Sequence, residues 1–199
     1  MNAQQRQKTL IASQYAEQVL NLYPTQLEQD YAEDQFSISL STENIHQKVQ
    51  QAVADLADEQ AWMKALRMLR AQLMFRWIWQ DANQLTDVVT LTRELSDFAD
   101  ACIVAAKDFA RIPLIAKHGE PMGYSGQVQD LIVIGMGKLG AKELNLSSDI
   151  DLIFAFDEQG ETNGRKCIDV QQFCILWGQK LIYLLDHITA DGFVFRVDM

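Results

Sequence analysis

Proline is scarce, with three residues in 199, and Pro24 and Pro113 leave the long stretch between them free of that helix breaker. With 10 glycines as well, collagen-like and low-complexity classes are excluded. The cysteines, Cys102, Cys167 and Cys174, are odd in number and form no CxxC pair, so neither a disulfide framework nor a cysteine zinc site is expected. The expectation is three buried thiols in a reducing cytoplasm. No apolar run approaches the ~20 residues of a membrane span, and Met1-Asn2-Ala3-Gln4-Gln5-Arg6 is not a signal peptide. The reading is of a cytoplasmic protein without membrane or secretory segments. Positive charge is also in short supply, 17 Lys+Arg against 27 Asp+Glu, for a net charge of −10. That field opposes phosphate backbones and removes the driving term of non-specific nucleic-acid binding. Any phosphate must be met locally, by backbone N–H groups, a few basic side chains or a divalent cation. What is plentiful is ordinary globular material, 48% apolar and 22% charged. A chain of this length hides roughly 70% of its unfolded surface and needs no staples.

The spacing divides the chain in two, near residues 116/117. Residues 1–116 read as helical. An amphipathic segment runs over Gln4–Leu22 and ends at Pro24, and a polar stretch, 28–43, follows. Thr42-Glu43-Asn44-Ile45 opens a second helix, Ala61–Asn83 is a third, and Thr86–Ala116 a fourth. In the third, Trp62, Leu66, Leu69, Leu73 and Trp77 form one apolar stripe, the pattern of helix–helix core rather than of a pocket. Arg67, Arg70 and Arg76 are expected on the solvated side, paired with acids. From His118 to Gln129, Gly, Pro and Ser cluster as a loop. Residues 117–199 then mix short β-runs with helix: a buried strand at Asp130–Ile134, at most a short helix at Ala141–Leu146, and a strand at Ile150–Phe156. Helical spacing follows over Cys167–His187, and a third strand over Phe193–Asp198. The fold class is α+β. The chain closes at Met199 directly behind a strand, so the sheet is read as incomplete and the protein as truncated.

Gly135-Met136-Gly137-Lys138-Leu139-Gly140 satisfies the dinucleotide-binding pattern GxGxxG behind a strand, with Asp157 twenty residues past Gly137. Against that reading, only eight residues (141–148) separate the last glycine from Asp149, fewer than a parallel crossover usually takes. It also leaves Asp149 and Asp151 without a task, and no Gly-Lys-Ser/Thr supports a P-loop. A second reading uses them all. Ser148-Asp149-Ile150-Asp151 sets two carboxylates on one face of a strand, ~7 Å apart along the backbone. Leu152, Phe154 and Phe156 then point into the core. Carboxylates so close require neutralisation, and oxygen-only ligation suits Mg²⁺. Two such ions can clamp the attacking and leaving oxygens of a phosphoryl or nucleotidyl transfer. Gly135, Gly137 and Gly140 would let the backbone approach a triphosphate, with Lys138 and the Ser148 hydroxyl as further contacts. Asp198, sharing its strand face with Arg196 and Val194, is the candidate third carboxylate.

Gly135 to Asn145, Ser147 to Phe154, and Asp191-Gly192-Phe193-Val194-Phe195-Arg196-Val197-Asp198-Met199 together resemble the bifunctional glutamine synthetase adenylyltransferase/adenylyl-removing enzymes. The likeness extends more loosely over Leu66–Ala106. It implies a nucleotidyltransferase fold with metal carboxylates at Asp149, Asp151 and Asp198 and a nucleotide-binding glycine segment at Gly135, Gly137 and Gly140. Family members often carry glycine where this chain has Ala141. One half of such an enzyme moves AMP from ATP onto a tyrosine of glutamine synthetase. The other removes it by phosphorolysis, giving ADP. The start at Met1, the preceding helices and Arg196-Val197-Asp198-Met199 (the adenylylating half has Glu-Val-Asp-Thr) place this chain in the removing half. Partners implied are glutamine synthetase and a nitrogen-signalling regulatory protein. The alternatives are an inert interaction module of that enzyme and a dinucleotide-binding oxidoreductase.

Overall fold

The computed structural model describes residues 1–199. Two compact units emerge: residues 1–98 with 142–147, and residues 99–141 with 148–199. The division falls inside a helix, whereas the change of composition puts it near residue 116. A shift from helical to loop-rich text marks where a helix ends, not where packing changes partners.

The first unit is helical. It holds α1 (Ala3–Ala12), α2 (Gln14–Leu22), α3 (Pro24–Ala32), α4 (Thr42–Val53), α5 (Glu59–Ala82) and the opening of α6 (Val88–His118). The single segment expected over Gln4–Leu22 is two helices. Ser13 breaks it because its hydroxyl accepts from Ala16 N–H and caps α2. Pro24 begins a helix as well as ending one: it occupies the first turn of α3, where no N–H is needed. α4 and α5 start at the caps Ser41 and Asp58.

α5 is buried on more than one side, and α1, α2 and α4 pack on it. Phe75, Ile78 and Trp79 meet Val19, Leu20, Leu27 and Phe36 in one apolar cluster. Tyr31 sits edge-on to Trp79, ring centres 5.4 Å apart. Burial this broad carries Arg67 and Arg76 inside, 1% and 4% exposed, against the expectation of solvated arginines. Each is satisfied. Arg67 donates to Met63 O at 3.0 Å. Arg76 pairs with Glu94 at 2.9 Å. Glu94 uses both oxygens twice, taking Ser39 Oγ and Leu40 N–H on one and Arg76 and Trp77 Nε1 on the other. In the same unit, buried Asp97 accepts from Thr42 Oγ1 at 2.7 Å and Lys142 Nζ at 2.8 Å, and Leu144 N–H donates to Ser96 Oγ.

The second unit contains the rest of α6, β1 (Pro121–Gly123), β2 (Ile132–Gly135), α7 (Gly137–Gly140), β3 (Ile150–Ala155), β4 (Gly160–Thr162), α8 (Val170–Asp186) and β5 (Val197–Asp198). β1, inside the segment read as loop, forms an antiparallel pair with β4, in a stretch given no element. Three residues are too few to show a strand's alternation. The main sheet has the order β2-β3-β5, antiparallel then parallel. α8 packs on β1, β4 and β5, with Phe173, Trp177, Leu181 and Leu185 wholly buried. Trp177 ties α8 to α6 through Nε1 to Lys107 O at 2.7 Å.

Four expectations are corrected in this unit. β2 is not a buried strand, since Ile132 and Ile134 lie on an open sheet face. The short helix sits on the glycines rather than on 141–146, because the chain reverses there. The third strand is two residues long: Val194 and Phe195 turn their N–H groups to Leu185 O at the end of α8 instead of to the sheet. Val194 is therefore buried and does not share the face of Arg196 and Asp198. Finally, Cys167 is exposed, while Cys102 and Cys174 are buried. Burial, with Asp130 adding to it, pushes the Cys174 thiol up to about 11.

Candidate functional site

Every residue singled out in the glycine and Asp-x-Asp segments belongs to the second unit. β2 runs into the glycine turn from Gly135, paired with Leu152 of β3. Met136 N–H donates to Asp151 O at 2.8 Å, continuing the ladder one step. Gly137 then takes φ +52°, a left-handed conformation that reverses an extended strand into the single turn of α7. A side chain at Gly137 would put its Cβ 2.6 Å from Asp151 Oδ2, so the carboxylate rests on bare backbone. Gly140 has a different reason to be glycine: its Cβ would lie 2.6 Å from Gly135 O, where the turn closes on itself. Part of the GxGxxG spacing is thus accounted for by the tight turn alone. Lys138 stands exposed on α7, and Ser148 is half-buried next to Asp149.

β2 and β3 are antiparallel. A dinucleotide-binding βαβ unit requires parallel strands around its glycine turn, so that reading falls and Asp157, beyond the end of β3, loses its assigned partner.

The alternation of β3 follows the spacing. Ile150 and Leu152 are buried, while Asp151 and Ile153 face outward, and Asp149, one step before the strand, has the same parity. The parallel register sets Ile150 against Val197 and Asp151 against Asp198. By that register Asp149 stands opposite Arg196, and Ile150 N–H donates to Arg196 O at 3.0 Å. Asp151 and Asp198, both exposed, are neighbouring like charges across a strand pair, a destabilising arrangement. Asp149 has a counter-charge, with Arg196 Nε 2.5 Å from its Oδ1. That oxygen is shut off from solvent and accepts no hydrogen bond, so the contact is ionic without good donor aim. The pairing with Arg196 was not foreseen, although strand register would have pointed to it once the two strands were known to be parallel.

Three carboxylates on one open face against one guanidinium form a hard-oxygen, net-negative patch, the donor chemistry that suits Mg²⁺. Asp149 Oδ1, which accepts no hydrogen bond, and the Asp151 carboxylate against bare backbone are oxygen donors of the kind such a cation takes. As they stand, the side chains do not converge: no group of three His, Cys, Asp or Glu side chains is arranged to hold a metal ion. The backbone register sets the three aspartates on one face, and the Asp149 carboxylate is engaged by Arg196. The apolar groove of about 330 Å³ in the same unit, between Leu131, Phe154, Phe156, Cys174 and Ile175, carries no charged side chain and is not this site.

With this geometry in view, the family model for glutamate-ammonia ligase adenylyltransferase matches residues 3–199. The chain belongs to that family. Among the family's members it is similar to the bifunctional glutamine synthetase adenylyltransferase/adenylyl-removing enzyme of Acinetobacter baylyi, 77% identical over the whole chain and 22% of the relative. The enzymes of that name from Thioalkalivibrio sulfidiphilus and Pseudomonas aeruginosa are each 47% identical, over 76% and 78% of this chain and 16% of theirs. The chain spans about a fifth of the length of these adenylyltransferases. No helix in it is long and apolar enough to cross a membrane.

Proposed function

We propose that this chain carries part of the nucleotidyltransferase centre that removes AMP from a tyrosine of glutamine synthetase. The observation that carries the reading is the placement of Asp149, Asp151 and Asp198 on one open face of β3 and β5, beside a glycine turn that leaves Asp151 on bare backbone. The helical first unit and the Arg196-Val197-Asp198-Met199 segment favour the removing half, as the resemblance implies.

In this reading an oxygen of inorganic phosphate bonds to the phosphorus of the adenylyl group. The bond from that phosphorus to the tyrosine oxygen breaks, and the freed oxygen takes up, through water, the proton that the attacking hydrogen phosphate gives up. The products are ADP and unmodified glutamine synthetase. Asp149, Asp151 and Asp198 would hold Mg²⁺, which when bound neutralises phosphoryl charge and polarises the phosphodiester. Gly137 keeps the Asp151 carboxylate against the turn, and Gly135 and Gly140 allow the turn to close. Lys138, exposed on α7, and the Ser148 hydroxyl would contact phosphate oxygens. ATP and ADP are the nucleotides of the two opposing reactions, a nitrogen-signalling protein is the regulatory partner, and the cytoplasm is the compartment.

The test is release of ADP from adenylylated glutamine synthetase, with and without phosphate and Mg²⁺. It uses the 199-residue chain and a chain of the relatives' full length. ADP formation that needs both and disappears in Asp149→Asn/Asp151→Asn supports the reading. Full deadenylylation by that double variant in the full-length enzyme would refute it.

A further inference from the structure

The mechanism leaves Arg196 without a role, although it makes the closest charged contact in the site. Its side chain is 58% exposed, so nothing forces it onto Asp149 by burial. What aligns the two is register: continued one residue before the Ile150–Val197 pair, the parallel β3–β5 pairing brings 196 opposite 149, as 198 lies opposite 151. A guanidinium 2.5 Å from Asp149 Oδ1 engages an oxygen that a cation bound by this carboxylate would compete for. The oxygen is closed to solvent and takes no hydrogen bond, and the guanidinium of Arg196 is the positive charge set against it.

We propose that Arg196 is an internal counter-ion that must release Asp149 before a divalent cation can be held there. The proposal rests on the metal reading above and deepens it by naming a positioning residue that sets how readily the site fills. Two effects act in the same direction. Ion binding must break an exposed Arg–Asp pair, and it must place a second positive charge beside the first. Exposed pairs are weak individually, and short-range repulsion between a divalent ion and a guanidinium is moderated by water. Together they hold affinity down by a factor of about 3–10. In return, the pair keeps the ion-free strands from carrying three uncompensated aspartates.

The experiment is a Mn²⁺ titration of the 199-residue chain by electron paramagnetic resonance, comparing wild type, Arg196→Gln, Arg196→Lys, Asp149→Asn and the Asp149→Asn/Arg196→Gln double variant. Arg196→Gln is expected to bind Mn²⁺ about 3–10-fold more tightly, and Arg196→Lys within about twofold of wild type. In the Asp149→Asn background the gain from Arg196→Gln should shrink, because the pair is already gone. A second readout follows the ion pair itself: addition of Mg²⁺ should shift the Arg196 Nε–H resonance in wild type. If wild type binds Mn²⁺ and Arg196→Gln binds it equally or more weakly, the role of Arg196 is overturned while the metal site stands. If wild type shows no saturable binding, the metal reading and this inference fail together.

Discussion

Replacing Gly137 with alanine tests the link between backbone conformation and site chemistry most directly. Two costs are imposed at once. At φ +52° an L-residue sits in the left-handed region, worth roughly 1–2 kcal/mol. The added Cβ would also lie 2.6 Å from Asp151 Oδ2. That second conflict is with an exposed, rotatable carboxylate rather than with backbone, so Asp151 swings off its preferred rotamer for about 0.5–1.5 kcal/mol. The sum, about 1.5–3.5 kcal/mol, is inside the stability of an ordinary domain, and the fold should survive. Its thermal midpoint should fall by several degrees. The functional loss should be larger than the structural one, since the displaced group is a proposed ion ligand. Gly126 provides the control: it has φ +83°, but a Cβ there would meet nothing within 4 Å. Gly126→Ala should therefore cost about 1–2 kcal/mol from backbone strain and leave Mn²⁺ affinity unchanged. Thermal unfolding and Mn²⁺ titration of both variants check the argument. Equal Mn²⁺ affinity in Gly137→Ala and Gly126→Ala would show that the Asp151 carboxylate does not depend on the bare backbone beneath it.

Asp151→Asn should abolish Mn²⁺ binding yet raise the stability of the ion-free chain by about 0.2–1 kcal/mol, because it removes the like charge opposite Asp198; a loss of stability in urea would contradict the register argument. Glu94→Ala should destabilise by about 3–5 kcal/mol, since it strands the buried Arg76 charge and unpairs Leu40 N–H and Trp77 Nε1; a midpoint within 1 °C of wild type would show that the network is dispensable. Thiol labelling at pH 8 should proceed fast at exposed Cys167 and slowly at Cys102 and Cys174. The Cys174 thiol, pushed up to about 11 by burial, favours the folded state below the unfolded thiol's range near pH 9, and that contribution is lost as the pH rises through 11. Mass spectrometry of the labelled chain locates the modified residues, and fast labelling of Cys174 at pH 8 would overturn that ordering.

Much was legible in the chain because it depends on neighbours in sequence. The long helices α4, α5 and α6 and the helix α8 follow from apolar spacing and from caps such as Asp58 and Asp169, which act within three residues of themselves. The shared face of Asp149 and Asp151 follows from the two-residue period of a strand. The glycine turn could be seen as a turn, and the motif around it carried the family resemblance. The direction of strand pairing was decided by contacts between distant segments. The same Gly135–Gly140 spacing would serve a parallel dinucleotide unit, and only the antiparallel register of β2 with β3 excludes it. Burial of Arg67 and Arg76 came from α5 being enclosed on several sides, which one helix's own pattern cannot report. The end of α8 captured the Val194 and Phe195 N–H groups and shortened β5, a competition between partners far apart in the chain. The ion pair of Arg196 with Asp149 arose in the same way, because two residues 47 positions apart become neighbours only when parallel strands align them. Local periodicity is written in the sequence; which charges then face one another is set by register, and register is a property of the folded chain.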